Sequence, residues 1–292
     1  MRHGPARSLS LSEGAPALIA LLAATLAMTA CAPAEPSPGA LPAGVSVELI
    51  QLRSDVVDRT AQLRLRNDGD TDLSVTHLAL TDARFTTPIV RDKLSRVPAG
   101  RTLDMRIELP PVVCDGDDAA AATSLELGYE VEGRDMVAKA SVPDSLAFIP
   151  LLHEKECLRE RLAEVAVLSW GAFEASDAPA PASLTLDIAP SGGAGEARIE
   201  TVETTNLLMF DAAGAAPFAV GLDVLAAATP GQLRVPLVPL RCDPHAVMED
   251  KRGTIMPFSI TLADGTSGTV FIPASPEVKA ALLDFVGVAC GS

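Results

Sequence analysis

Apolar and polar residues alternate through most of the chain, the signature of strands that bury one face. Val45, Val47 and Leu49 alternate with Ser46 and Glu48, and Leu63 and Leu65 with Gln62, Arg64 and Arg66. Asn67-Asp68-Gly69-Asp70 then reads as a turn, because Asn and Asp tolerate positive φ and Gly adopts it freely. Residues 75–80 form the next strand. Residues 102–109 place Leu103, Met105, Ile107 and Leu109 on one face, and Pro110-Pro111 ends that run. Leu125, Leu127, Tyr129 and Val131 repeat the pattern, Glu132-Gly133-Arg134-Asp135 turns the chain, and residues 136–142 return.

Strand-like runs resume at 165–173, with Trp170, and at Leu184, Leu186 and Ile188. They continue at 197–202, 207–210, 218–225, 233–240, 255–262 and 269–272, with Asp264-Gly265 as a hairpin turn. Two stretches break the period. Residues 145–162 hold the helix formers Glu154, Lys155, Glu156, Arg159, Glu160 and Arg161, and Pro150 limits how early that helix starts. Residues 276–286 read as a second helix, with Ser275 as N-cap, Pro276 at the first position and Glu277 in the first turn. Val278, Leu282, Leu283 and Phe285 are its apolar face.

Two parts of this pattern match in order. The first opens Pro98-Ala99-Gly100 and passes through Leu103, Met105 and Ile107 to Cys114-Asp115. It then runs through Leu125 and Leu127 to Val142-Pro143 and ends at Cys157. The second opens Pro230-Gly231 and passes through Leu233, Val235 and Leu237 to Cys242-Asp243. It continues through Ile260 and Leu262 to Ile272-Pro273 and ends at Cys290. The cysteines are 43 residues apart in the first copy and 48 in the second. Many short strands between turn residues imply an all-β chain. We expect two tandem antiparallel sandwich domains, residues 45–160 and 161–292, each with a short C-terminal helical element and one disulfide. In strand pattern both resemble immunoglobulin-like domains, a fold that hosts many unrelated functions.

The first 30 residues look like an export signal. Arg2 and Arg7 precede an uncharged apolar run, residues 17–30, which is shorter than the ~20 residues a membrane span needs. Met28-Thr29-Ala30-Cys31 resembles the lipobox of bacterial lipoproteins, with Met28 where Leu is usual. The resemblance implies cleavage before Cys31, lipidation of Cys31 and anchoring to the membrane. An ordinary signal peptide cut after Ala34 is the alternative. Residues 31–44, rich in Pro, Ala and Gly, suit a tether. Arg241-Cys242-Asp243-Pro244-His245 also resembles a segment of uncharacterised exported proteins of high-GC Gram-positive bacteria, and it carries no activity with it.

Five cysteines, one of them Cys31, leave two per copy. Four cysteines allow three pairings, and the repeat selects Cys114–Cys157 with Cys242–Cys290, because each copy then closes on itself. The spacings lack the close pairs that zinc sites favour.

Charge narrows the partners. At −15 the chain is repelled by phosphate backbones, which argues against nucleic acid. Aromatic residues are 3% of the chain, which disfavours carbohydrate surfaces. No cofactor is indicated. Gly265-Thr266-Ser267-Gly268 does not match the Gly-x-Ser-x-Gly of a nucleophile elbow. Asp68, Asp70 and Asp72 alternate as calcium-loop ligands do, but Leu73 and Ala79 stand where the loop requires Gly and Glu. Asp115, Asp117 and Asp118 are a weaker form of the same idea. One connection stands out, residues 244–253, with His245, Met248, Glu249, Asp250, Lys251 and Arg252. Loops at the ends of a sandwich meet partners, so these six are the candidate recognition residues. The sequence therefore reads as a membrane-anchored extracytoplasmic binding or structural module with an envelope protein as its partner. The alternative is a hydrolase or metal-dependent enzyme without a recognisable motif.

Overall fold

The computed structural model describes residues 39–115, 122–176, 180–211, 214, 216–243 and 252–291. Cys31, Asp117, Asp118, His245, Met248, Glu249, Asp250 and Lys251 lie outside these. The chain is mostly β, in several antiparallel sheets. Its first strands are β1 (Val45–Ile50), β2 (Thr60–Asn67), β3 (Leu73–Thr81), β4 (Ile89–Arg91) and β5 (Ser95–Val97). Then come β6 (Arg101–Glu108), β7 (Ser124–Val131) and β8 (Arg134–Ser141). One sheet has the order β1-β2-β6 and the other β4-β3-β7-β8, with β5 also on β3. The alternating apolar residues of both sheets meet in one buried cluster. Leu63, Leu65, Met105 and Ile107 come from one sheet, and Val75, Leu78, Leu125 and Leu127 from the other.

The second half repeats that order. Its strands are β9 (Ala166–Glu174), β10 (Ala182–Pro190), β11 (Glu196–Val202), β12 (Leu208–Met209) and β13 (Phe218–Leu225). They are followed by β14 (Gly231–Pro239), β15 (Ile255–Leu262) and β16 (Ser267–Pro273). The sheets run β12-β14-β10-β9 and β13-β11-β15-β16. The array β9-β10-β14 thus corresponds to β1-β2-β6, and β13-β11-β15-β16 to β4-β3-β7-β8. A second cluster fills this half. It contains Trp170, Leu184, Leu186, Ile199, Val235, Leu237 and Phe258, and the Trp170 and Phe258 ring centroids are 5.4 Å apart. The Trp170 indole N–H, which burial obliges to find an acceptor, donates to the Ile272 carbonyl at 3.2 Å.

Two local features set the connections. Glu132 and Gly133 both have positive φ, 51° and 73°, which makes the two-residue turn that joins β7 to β8 with the twist of the strands. Gly44 has φ +77° and lies against the Gly69 backbone, where an added Cβ would fall 2.9 Å from the Gly69 nitrogen. Residues 39–44, read from sequence as the end of the tether, thereby lie against the first half, with Leu41 packed on its core.

Helix α1 (Arg53–Val57) is a single turn, and α2 (Phe148–Val165) follows β8. The second of these starts at residue 148. The Asp144 carboxylate accepts from the Phe148 and Ile149 amides at 3.1 and 2.8 Å, satisfying donors that have no partner within the helix. Pro150 is tolerated because it occupies the first turn, where its missing N–H costs nothing. Asp144→Ala should lower stability by about 0.5–2 kcal/mol, read as a fall in the urea midpoint at unchanged m.

The same helix belongs to both cores. Phe148 and Ile149 lie in the first cluster, while Leu158, Leu162 and Val165 lie in the second. The sequence reading divides the halves between residues 160 and 161, and that point lies within the continuous helix Phe148–Val165. The last helix, α3 (Pro276–Cys290), covers the second core with Leu282, Phe285 and Val286. The Ser275 hydroxyl accepts from the Val278 amide at its start. Disulfides join Cys114 to Cys157 and Cys242 to Cys290, with Cα separations of 5.3 and 5.1 Å. Each ties the loop after β6 or β14 to the helix that ends its copy.

Candidate functional site

A cleft of about 620 Å³ opens where the two halves meet. One wall is α2, through Glu156, Arg159, Glu160, Leu162 and Ala163. A second is the start of β9, through Ala166, Val167, Leu168 and Ser169. A third is the end of β16, from Val270 to Pro273. Pro111 and Val112, from the loop that leads to Cys114, form the lip. The lining is mainly apolar, and Val167 and Ala163 present their side chains to solvent within it.

Three sets of polar contacts fix this geometry. At the lip, Arg84 and Asp82 form a buried ion pair, with side chains 7% and 1% exposed. The Asp82 carboxylate accepts from Arg84 Nε at 2.8 Å, Arg84 Nη2 at 2.7 Å and the Thr123 hydroxyl at 2.6 Å. Burial pushes its carboxyl up, but the Arg84 guanidinium and amide and the Thr123 hydroxyl outweigh that and hold it below the usual carboxylate range. The pair orients the chain so that the Arg84 carbonyl accepts from the Val113 amide and the Thr86 amide donates to the Pro111 carbonyl, both at 2.9 Å.

On the helix side, Arg59 crosses between elements. It donates to the Leu109 and Pro110 carbonyls at 3.0 and 2.6 Å and pairs with Glu156 of α2. Burial lowers its pKa, and the like charge of Arg159 adds to the effect. Farther along α2, Arg161 donates to Asp264 at 2.6 Å and to the Thr266 hydroxyl at 3.1 Å, which clamps the helix to the β15–β16 hairpin. The Thr266 amide, then Arg161, lower the Asp264 pKa to about 2.

The cleft mouth carries cations. Lys155 Nζ and the Arg252 guanidinium lie 5.5 and 5.8 Å from the centroid of the Phe271 ring, within cation–π range. Arg159 has no hydrogen-bond or ion-pair partner among the described residues. The polar side chains of the lining are Glu156, Arg159, Glu160 and Ser169.

Of the six candidate recognition residues, Arg252 falls within the described residues, and it reaches the ring at this cleft. The other five lie outside them. Two of the calcium candidates have partners: Asp68 accepts from Arg66 Nε at 2.7 Å and Asp72 from the Ala99 amide at 3.0 Å. Among the described residues no group of three His, Cys, Asp or Glu side chains is placed to hold a metal. Ser267 bonds the Gly265 carbonyl and the Thr261 hydroxyl within its hairpin. His153 meets the Val113 carbonyl at 2.7 Å, and His77 pairs with Asp92. Sequence reasoning missed Arg59, Arg159 and Phe271. Phe271 alone had a signal, since Val270-Phe271-Ile272 breaks the alternation and puts an aromatic ring on the outer face of a strand.

No family model and no curated protein matches the chain. Among solved structures, red sea bream transglutaminase is 10% identical at a TM-score of 0.23, over 80% of this chain and 32% of that one. This chain therefore spans about a third of the transglutaminase. A chaperone–tip adhesion subunit pre-assembly complex from archaic chaperone-usher Csu pili of Acinetobacter baumannii is 12% identical at 0.21, over 79% and 99%. CBD12 from CALX1.2 is 15% identical at 0.23, over 76% and 79%. At these scores neither fold nor function is drawn from the likenesses.

Proposed function

We propose that the protein is an exported lipoprotein, anchored through Cys31, that serves as a binding module of the cell envelope. The observation that carries the reading is the pair of disulfides, each closing one copy of the repeat. Such bonds persist in oxidising, extracytoplasmic compartments. Among the described residues no helix is long and apolar enough to cross a membrane. In this reading a diacyl anchor at Cys31 holds the protein to the membrane, because two acyl chains bind stably where one is marginal. Residues 45–160 and 161–292 are tandem immunoglobulin-like sandwiches, a view supported by the equivalent strand orders and the two buried clusters. They share α2 at their join. The binding face is the cleft, and the candidate recognition residue Arg252 at Phe271 supports that reading. The partner is an envelope component.

Cys31→Ser should move the protein from the membrane fraction to the soluble one. Intact-mass analysis of the wild type should show a diacylated chain that begins at Cys31. An unmodified chain that begins downstream would refute the anchor.

A further inference from the structure

The cleft combines an apolar lining with one guanidinium, that of Arg159, that has no ion-pair partner among the described residues, and the chain as a whole is strongly acidic. Arg159 lies on the wall without an ion pair among the described residues and beside Arg59, a second guanidinium. Glu156 pairs with Arg59, so Arg159 is the guanidinium left to take an anionic ligand. Lys155 and Arg252 add two more cations at Phe271. Two carboxylates share the lining. Glu156 is already paired with Arg59, and Glu160 is exposed on the lining. The exposed part of the lining beside these groups is aliphatic, Ala163 and Val167, and it is backed by the buried Leu162, Val270 and Ile272. The volume falls within the ~300–1,000 Å³ of small-molecule sites.

We propose that the cleft binds a single-chain amphipathic anion, with its hydrocarbon chain against the aliphatic floor and its carboxylate or phosphate head at Arg159. The inference rests on reading the cleft as the binding face and is independent of the lipid anchor. The apolar lining gives the chain a place to leave water, and the guanidinium gives the head a planar, always charged donor. Glu160 is the opposing charge on the same wall. It makes the site selective for ligands whose head reaches Arg159 instead.

The chain has one tryptophan, and its indole is bonded to the carbonyl of Ile272, a lining residue. Trp170 fluorescence therefore reports on the cleft. The full chain carrying Cys31→Ser, so that no acyl chain of its own competes, is titrated with dodecanoate, dodecyl phosphate and dodecanol below their aggregation limits. Calorimetry runs in parallel.

Both anions should give saturable binding, and dodecanol should bind at least about tenfold more weakly, since a hydrogen bond to a charged group is worth that or more. A preference for one anion over the other distinguishes a fatty-acid source from a phospholipid-derived one. Arg159→Glu should weaken both anions by a similar factor, and Glu160→Gln should strengthen them. Ala163→Phe, at an exposed position that projects into the cleft, should abolish binding of all three without changing the circular dichroism spectrum. The proposal is overturned if neither method shows saturation. It is equally overturned if dodecanol matches the anions and Arg159→Glu has no effect, or if binding survives Ala163→Phe.

Discussion

Asp82→Ala lowers the stability of the protein by about 3–5 kcal/mol, the usual cost of removing one member of a buried ion pair. The carboxylate receives both Nε and Nη2 of Arg84 and the Thr123 hydroxyl in a site almost closed to water. Without it, Arg84 keeps a buried charge stripped of its principal acceptor. Urea unfolding should show the whole loss as a fall in midpoint, with m unchanged. Replacing the pair together, Asp82→Leu with Arg84→Met, should cost far less than the two single changes added, because no uncompensated charge is left behind. Additive losses would show that the two side chains act separately.

The pair also sets a pH dependence. The folded Asp82 pKa lies below its unfolded value of about 3.9. Its stabilisation is therefore complete above that value and is lost as pH falls through it toward the folded pKa. Asp82→Asn should flatten this acid limb of the stability curve. Asp264 is held at about 2 and contributes in the same direction. Because it is exposed on its hairpin, salt should weaken its contribution, while the Asp82 contribution should persist.

The second large effect is at the Cys114–Cys157 bond. Replacing both cysteines with alanine should cost about 4 kcal/mol, since the bond closes a 43-residue loop. That loop contains the whole β7–β8 hairpin. The bond also fixes α2 to the lip of the cleft, so Trp170, whose indole bonds the cleft wall at Ile272, should report the change before global unfolding. Removing Cys242–Cys290, which closes 48 residues, should cost about as much on the same chain-entropy argument. It should leave the lip unaltered. Calorimetric scans of the two double variants under one set of conditions compare them. A Cys114/Cys157 variant as stable as the wild type would mean that packing alone holds α2 in place.

Most of the fold was legible because burial imposes a period. β2, β3, β6 and β7 keep one face in the core, so Leu63, Leu65, Met105, Ile107, Leu125 and Leu127 fall on alternate positions. The hairpin at Asp264-Gly265 and the cap at Ser275 were visible because they depend on one or two residues. Short elements were missed. β4 and β5 have three residues each and α1 is one turn, too little chain to show a period. The cleft was not legible for a different reason. Arg59, Arg159 and Phe271 come from three distant parts of the chain, and of the three Phe271 alone stands out among its own neighbours. Arg252 was singled out for its loop, and what gives it a role is the ring it reaches from β16. The buried Asp82–Arg84 pair was likewise hidden, since two opposite charges two residues apart look like an ordinary surface turn.

The repeat in the sequence and the unit of packing are out of step along α2. By order of elements, α2 closes the first copy as α3 closes the second. By burial, its C-terminal half supplies Leu158, Leu162 and Val165 to the second core. A fragment that stops at residue 147 would keep nearly all of the first core and lose Phe148, Ile149 and its disulfide partner. A fragment that begins at 166 would carry every strand of the second half and still have a hole where three large side chains belong. Splitting the protein by its repeat therefore yields one piece with a surplus apolar helix end and another that needs it. Complementary fragments that overlap across 148–165 should be soluble partners for each other, and the helix should be the currency of any exchange between chains.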